Sequence, residues 1–234
     1  MKSAVVIRHV AFEDLGTLEP VLLARGYAIR YLEMGLDDIA AVDPVAPDLA
    51  VILGGPIGVY EQDEYPFLQQ EITWIKARLS AQRPLIGLCL GSQLMAAALG
   101  ARVHAGDNGK EIGWSALRPT EAAGDYPFMS LLTVPVLHWH GDTFDLPADA
   151  VLLAGSAQYA HQIYAVGHHG IAFQCHPEVT SRGLERWFIG HACEISKTPG
   201  VSVPALRAQT LQHGPALEKT ASQFWPLLLA SLGA

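Results

Sequence analysis

The chain has 234 residues, half of them hydrophobic and 16% charged, which is enough to bury a sizeable core. The formal net charge of −8 argues against a general nucleic-acid-binding face, which would be basic. We expect no membrane span, since no run of about eighteen apolar residues occurs. The first residues, "MKSAVVIRHV", indicate a buried strand rather than a signal peptide.

Short apolar runs alternate with helical patterns over the first hundred residues. Their β-branched composition is typical of strands buried on both faces of a parallel sheet. The longer of two helical patterns, 67–82, has an apolar stripe, and its polar residues, Arg78 among them, are expected to face water. The alternation predicts an α/β fold. The predicted strands cover 4–7, 49–55 and 84–90, and the helices cover 14–25 and 67–82.

After residue 100 the pattern changes to short strands separated by Gly, Pro and Asp, which predicts a mixed or antiparallel extension of the sheet. Helical patterns return near residue 180. We see no linker or repeat, so we expect a single domain over 1–234 with a helical C-terminal tail from about 182. The short strands are predicted over 113–119, 134–140, 150–156, 162–167 and 170–176.

Cys89 lies in "GLCLG", between Gly87 and Gly91. This pattern is typical of a sharp strand-to-helix turn that presents a nucleophile, because side chains two residues before and after it would collide. The sulfur would lie near the N-terminus of the helix that follows, where the dipole favours a thiolate. The alternative is an ordinary buried cysteine. With Cys175 and Cys193 there are three cysteines, too few for a disulfide framework, so a reducing cytoplasm is expected.

His176 and Glu178 follow a predicted strand in "CHPEV", two residues apart, and can point the same way. A cysteine nucleophile needs a histidine to move protons, and that histidine needs a carboxylate or amide to fix its tautomer. Cys175 would face the other side of the strand, as a core thiol. The alternative is a structural or exposed histidine.

The remaining histidines do not follow a familiar zinc spacing, so we expect no metal site and no cofactor. Several of them lie close together in the sequence, as metal ligands often do. The histidines in question are His138, His140, His161, His168 and His169.

Two loops offer backbone amides to a substrate. "GGP" at 54–56 exposes the amide of Gly55, and Leu90 follows the nucleophile, so these two amides are candidate oxyanion donors. The GGP loop lacks the ending of a phosphate-binding P-loop. In "HWHGD", Gly141 allows close approach of a ligand, and Asp142 either holds an ammonium group or caps a turn.

Taken together, "GGP", "GLCLGSQ" and "CHPEVT" resemble the class I glutamine amidotransferases, over roughly residues 1–182. "HGD" at 140–142 makes the resemblance strongest to the amidotransferase part of GMP synthase and its stand-alone relatives. The resemblance implies a flavodoxin-like three-layer sandwich with a mostly parallel sheet and a small antiparallel extension. It also implies a catalytic triad of Cys89, His176 and Glu178.

The resemblance further implies oxyanion donors at Gly55 and Leu90, and glutamine contacts from Gln93 and from the 139–142 loop, with Trp139, Gly141 and Asp142. Cys175 stands where the family often has an aromatic residue. The residues after 182 are too few for an ATP-binding synthetase domain.

The expected activity is hydrolysis of the glutamine side-chain amide through a γ-glutamyl thioester, with ammonia released to a separate synthetase. The first alternative is a γ-glutamyl peptide or amide hydrolase or transferase with the same triad, which the space around Tyr60, Trp139 and Tyr159 would decide. The second alternative is a catalytically silent binding or regulatory subunit.

Overall fold

A computed structural model describes residues 2–131 and 133–234. In this part of the chain, the strands predicted over 4–7, 49–55 and 84–90 are β1, β3 and β4. The strands are β1 (Lys2–Arg8), β2 (Tyr27–Glu33), β3 (Leu49–Ile52), β4 (Leu85–Leu88), β5 (Val103–Ala105), β6 (Glu111–Ser115), β7 (Arg118–Pro119), β8 (Val136–His140), β9 (Asp142–Phe144), β10 (Ala150–Gly155), β11 (Ile163–Val166) and β12 (Gly170–Phe173).

Helices flank the sheet and follow its parallel strands. In the described part of the chain, three short 3-10 helices lie in the connections, at Ile39–Ala41, Glu121–Asp125 and Pro127–Leu131. The α-helices of the described residues are α1 (Leu18–Ala24), α2 (Phe67–Ser80), α3 (Leu90–Ala98), α4 (Ser181–Gly190), α5 (Ala192–Lys197) and α6 (Val203–Ser231). No helix among the described residues is both long and apolar enough to cross a membrane.

Eight of the described strands form one sheet in the order β2-β1-β3-β4-β12-β11-β10-β7. The five strands from β2 to β12 run parallel, and β11, β10 and β7 extend the sheet in antiparallel fashion. Two antiparallel ribbons, β5-β9 and β6-β8, lie outside it. Because β3, β4 and β12 are parallel neighbours, the loops after them meet at one edge, where ligands bind in such sheets.

The core occupies both faces of the sheet. Along β1, Ala4 and Val6 pack into one apolar cluster, while Val5 and Ile7 pack into the other, as the alternation of a strand requires. Side chains of α1, α4 and α6 join the first cluster, and those of α2 and α3 join the second. This arrangement confirms the predicted three-layer α/β sandwich.

The sequence-based prediction for Arg78 on α2 is wrong. The helical pattern suggested that this side chain faces water, but it is fully buried. Its guanidinium donates to the carbonyls of Pro44, Pro47 and Pro84, at 2.7 to 3.0 Å, in the loops that pack against the helix. Burial, together with the charge of Arg83, lowers the pKa of Arg78 to about 10. Arg78 therefore fixes loop carbonyls, while Gln69, Gln70 and Lys76 on the same helix are exposed as expected.

The last helix, α6, is longer than the separate segments expected from the sequence. It continues through Pro215 and Pro226, which each lack the N–H that an inner helical turn uses. Leu217, Phe224 and Trp225 are almost completely buried against the sheet. We attribute the continuity of α6 to this packing, since burial of three large apolar side chains offsets the bonds that the prolines remove.

Candidate active site

Cys89 occupies the turn between β4 and α3, in a conformation that side-chain-bearing residues rarely adopt, with φ 50° and ψ −107°. Glycines on both sides of Cys89 make this turn sterically possible. A Cβ on Gly87 would come within 2.7 Å of the Gly91 carbonyl oxygen, and a Cβ on Gly91 would overlap the carbonyl of Ile52 on β3. The turn therefore requires glycine on both sides of the cysteine.

The Cys89 thiol is 7% exposed and faces a pocket. Its Sγ donates to the carbonyl oxygen of Trp139 at 3.6 Å and accepts from Gln174 Nε2 at 3.7 Å. Burial raises the pKa of the Cys89 thiol, and the nearby His176 lowers it only in part. The thiolate expected from the helix N-terminus is therefore opposed by desolvation, and the thiol is the favoured resting form.

His176 follows β12 and is anchored at both backbone and side chain. Its amide donates to the Leu137 carbonyl at 2.8 Å, and its Nδ1 donates to Glu178 Oε1 at 2.7 Å. This leaves Nε2, which has no hydrogen-bond partner among the described residues. Burial alone would lower the pKa of His176, but the charge of Glu178 and the contact with Cys89 hold it well above its ordinary value.

Cys89 and His176 line the same pocket, close enough for each to shift the pKa of the other. In this conformation the Cys89 thiol donates to the Trp139 carbonyl, and the His176 Nε2 has no partner at hydrogen-bonding geometry among the described residues. Glu178 lies behind the imidazole. The three residues predicted as a triad are thus brought together, with the thiol free to turn from Trp139 to the unpartnered Nε2.

The loop after β3 packs directly against the cysteine turn. A Cβ on Gly54 would be 3.3 Å from the Cys89 Cβ, and one on Gly55 would be 3.1 Å from Leu90 Cδ2. Leu90 is the first residue of α3, so its amide has no acceptor within that helix. Gly55 and Leu90 therefore both adjoin the Cys89 turn, and their amides as oxyanion donors stay a prediction.

A buried pair holds the glycine loop in place. His9 Nδ1 donates to the Gly54 carbonyl at 2.9 Å, and His9 Nε2 lies 3.1 Å from Glu71 Oε2. Burial lowers the pKa of His9, but Glu71 and the Gly54 carbonyl outweigh it and raise the pKa above its ordinary value. Through these two contacts His9 ties the loop to α2.

The pocket has a volume of about 220 Å³. All the residues that the resemblance assigned to the substrate contribute to its wall. Gln93, although buried, donates through Nε2 to Gln174 Oε1 at 3.1 Å. Asp142 accepts from the Tyr60 hydroxyl at 3.3 Å, at the more exposed rim. Tyr159 packs against His140 rather than lining the pocket. The residues predicted as part of the site that line this pocket are Gly55, Cys89, Gln93, Trp139, Gly141, Asp142 and His176.

A family model described as "Glutamine amidotransferase class-I" matches residues 21–189. The chain belongs to the class I glutamine amidotransferase family. It is similar to the glutamine amidotransferase-like protein YfeJ of Salmonella typhimurium, with 33% identity over 88% of this chain and 89% of the relative. The GMP synthase of Thermomicrobium roseum is 34% identical over 75% of this chain, but the match covers only 32% of that synthase.

A solved structure shows the same architecture. The crystal structure of a glutamine amidotransferase from Thermotoga maritima superimposes with a TM-score of 0.85 and 31% identity, and covers 100% of this chain and 99% of that one. The likeness extends over α4, α5 and α6, for which the sequence showed no motif.

Several residues that line the pocket of this chain were not predicted from the sequence. Trp187 and His191, from the helices after residue 180, pack around Trp139 with ring centroids 5.8 and 4.9 Å away. Glu194 accepts from the Trp139 indole at 2.8 Å and pairs with Lys110. Glu13 lies 3.6 Å from His191. No sequence signal marks these residues, because only tertiary packing brings α4, α5 and the loops that carry Glu13 and Lys110 to the pocket.

A second polar group lies buried behind the pocket wall. Glu111 on β6 faces His138 and His140 on β8, with its Oε2 3.5 Å from His138 Nδ1 and 3.1 Å from His140 Nε2. Burial opposes ionisation of Glu111, but both imidazoles lower its pKa below the ordinary value. Burial lowers the pKa of His138 to about 4, so this imidazole is neutral at physiological pH. Among the described residues, this is the group able to hold a metal ion.

Proposed function

We propose that this chain hydrolyses the side-chain amide of glutamine through Cys89, His176 and Glu178. The observation that carries the proposal is the strained Cys89 turn in a pocket that also contains the unpartnered Nε2 of His176. The Cys89 thiol can reach Nε2 of His176, while Nδ1 of the same imidazole is held by the Glu178 carboxylate. Nucleophilic catalysis by a cysteine needs this arrangement.

In the first half of the reaction, the Cys89 sulfur attacks the amide carbon and its proton passes to His176. The amides of Gly55 and Leu90 hold the oxyanion, each contributing about 3 kcal/mol to the barrier reduction. The imidazolium then protonates the amide nitrogen, the C–N bond breaks, and ammonia leaves. A γ-glutamyl thioester remains on Cys89.

In the second half, His176 removes a proton from water, which attacks the thioester carbonyl. The same two amides hold the second oxyanion, the C–S bond breaks, and glutamate leaves with the thiol restored. Glu178 accepts the hydrogen bond from His176 Nδ1 throughout and stabilises the imidazolium. No cofactor is required by this sequence of steps.

We assign substrate contacts to Gln93 and to Trp139, Gly141 and Asp142. Asp142 is suited to the α-ammonium group of glutamine, since it is at the pocket rim and already accepts from Tyr60. Gly141 has no side chain to keep the substrate away from the backbone. A Cβ at this position would also lie only 3.2 Å from the Lys110 side chain.

We further propose that the released ammonia goes to a separate synthetase. The GMP synthase relatives motivate this, because most of the T. roseum protein lies outside the match to this chain. The free thiols of Cys89, Cys175 and Cys193 fit a reducing compartment, and we place the reaction in the cytoplasm.

The direct test measures ammonia and glutamate release from glutamine by the wild type and by Cys89→Ala. Loss of a triad nucleophile should lower kcat by about 10⁴-fold or more. Full activity of the variant would remove Cys89 from the mechanism. Turnover of γ-glutamyl peptides in preference to glutamine would favour the γ-glutamyl hydrolase, and no turnover of either would favour a silent binding subunit.

A further inference from the structure

Three atoms suited to metal ligation converge outside the proposed triad. Glu111, His138 and His140 each offer one such atom, and these three atoms all lie within 4.8 Å of one another. The pairing of β6 with β8 sets Glu111 directly opposite His140, and His138 lies on the same face of its strand two residues earlier. The side chains of all three are at least nine-tenths buried.

Hydrogen bonds do not explain why His138 is there. Its side chain is completely buried, and neither ring nitrogen has a hydrogen-bond partner among the described residues. A phenylalanine or leucine would fill such a position without leaving polar atoms unpaired, and unpaired buried polar atoms are costly. The position therefore calls for a partner that protein atoms do not supply.

His140 has the opposite arrangement, which leaves a single nitrogen free for ligation. Its Nδ1 lies 2.9 Å from the Asp142 carbonyl oxygen and must donate to it, so the lone pair of a neutral imidazole is on Nε2, facing Glu111. Histidines that bind metals usually donate their other nitrogen to a carbonyl or carboxylate in this way, which fixes the ring.

We propose that Glu111, His138 and His140 form a binding site for one divalent transition-metal ion, with Zn²⁺ as the best fit. Two imidazole nitrogens and one carboxylate oxygen are ligands that Zn²⁺ takes in tetrahedral sites. Bonds of about 2.0–2.1 Å to a tetrahedral ion separate neighbouring ligand atoms by about 3.3 Å. The two distances from Glu111 Oε2, 3.1 and 3.5 Å, lie on either side of this value.

Gln162 supplies the fourth ligand. Its Nε2 lies 2.8 Å from Glu111 Oε2 and 3.1 Å from His140 Nε2, while its Oε1 has no hydrogen-bond partner among the described atoms. Turning the amide over exchanges these atoms and directs Oε1 to the ion. The ion reaches the site from the pocket, whose wall includes His140.

The ion acts by fixing β8 and takes no part in the chemistry. Trp139, between the two histidines, presents its carbonyl to Cys89 Sγ, and Leu137 accepts from the His176 amide. This site departs from the sequence-based expectation of no metal. The spacing of histidines along the chain could not reveal it, because Glu111 comes from a different strand.

The experiment uses Cys89→Ala, so that Zn²⁺ has no thiol at the pocket to bind. After removal of metal by a chelator, Zn²⁺ is titrated by calorimetry, and thermal unfolding is followed with and without it. We expect one ion per chain. Where free Zn²⁺ exceeds Kd about a hundredfold, the melting temperature should rise by roughly 5–10 °C.

Two substitutions in the same background locate the ion. Glu111→Gln keeps the size of the side chain, and His138→Phe removes two nitrogens that have no hydrogen-bond partner. Each should weaken Zn²⁺ binding by about tenfold or more, whereas the metal-free melting temperature of His138→Phe should not fall. His168→Gln, at an exposed histidine, is the matched control and should bind as the parent does.

The proposal is overturned if Cys89→Ala takes up no ion, or if Glu111→Gln and His138→Phe bind Zn²⁺ as tightly as the parent. It is also overturned if His168→Gln abolishes binding. If a variant does not fold, X-ray absorption of the Zn²⁺-loaded parent decides. A Zn²⁺ coordination shell with two imidazoles and oxygen ligands would support the site. A coordination shell with one imidazole or none would contradict it.

Discussion

At the scale of the residue, burial and charge oppose each other at His176. Desolvation would keep this imidazole neutral, but Glu178, bonded at 2.7 Å, holds its pKa well above the ordinary value. The pKa of Cys89 is also raised, but here burial itself is the cause, because it disfavours the thiolate. Both shifts favour the protonated forms of the pair, and we infer that the reactive form has lost one of these protons.

Glu178→Gln tests this balance. The substitution keeps the size of the side chain but removes the charge that raises the pKa of His176, so that pKa should fall. The acid limb of kcat/KM for glutamine hydrolysis should move to lower pH, and its plateau should drop by about 10²-fold as the imidazolium loses its stabilising charge.

The measurement is a pH–rate profile of the wild type and the variant. Glu185→Gln, which changes an exposed carboxylate of α4 paired with Arg207, should leave the profile unchanged. An acid limb that stays in place or moves to higher pH in Glu178→Gln would contradict the role of Glu178.

At the scale of the element, the turn between β4 and α3 determines where the thiol lies. Gly91 packs against the carbonyl of Ile52 on the neighbouring strand β3. The turn cannot move outward without breaking the backbone bond from Cys89 to Phe173 on β12. Three strands thus fix the Cys89 backbone, which keeps its positive φ because the surroundings leave no alternative.

Gly91→Ala should destabilise the protein by about 3 kcal/mol, because the added methyl group overlaps backbone that belongs to the core of the sheet. Urea unfolding measures the change. Gly124→Ala is the matched control, since a Cβ there meets no atom within 4 Å, and should change stability by less than about 0.5 kcal/mol. Equal stability of the two variants would show that the turn is not tightly packed.

Much of the site was predictable because its determinants are local. The glycines around Cys89 and the two-residue spacing from His176 to Glu178 follow from turn and strand geometry, and the order of parallel strands brings their loops to one edge. Arg78 was wrongly expected in water, since its partners are loop carbonyls from residues 44–47 and 84. Periodicity reports which face is polar, but not what covers that face.

At the scale of the whole molecule, the helices after residue 180 could not be assigned a role from the sequence. Trp187 and His191 form part of the pocket wall, and Phe224 and Trp225 of α6 pack into the same core cluster as the sheet. Such contacts depend on the complete fold and leave no local pattern. That residues 1–234 form a single domain stays a prediction, although this packing supports it.

The most direct test of the account is covalent labelling by 6-diazo-5-oxo-L-norleucine, a thiol-reactive analogue of glutamine, read by intact mass and peptide mapping. We predict one adduct per chain on Cys89, slowed by excess glutamine and absent from Cys89→Ala. The buried Cys175 and the exposed Cys193 serve as internal controls. Adducts on Cys193 at the rate of Cys89, or no adduct on Cys89 at all, would contradict the assignment of Cys89 as the nucleophile of a glutamine site.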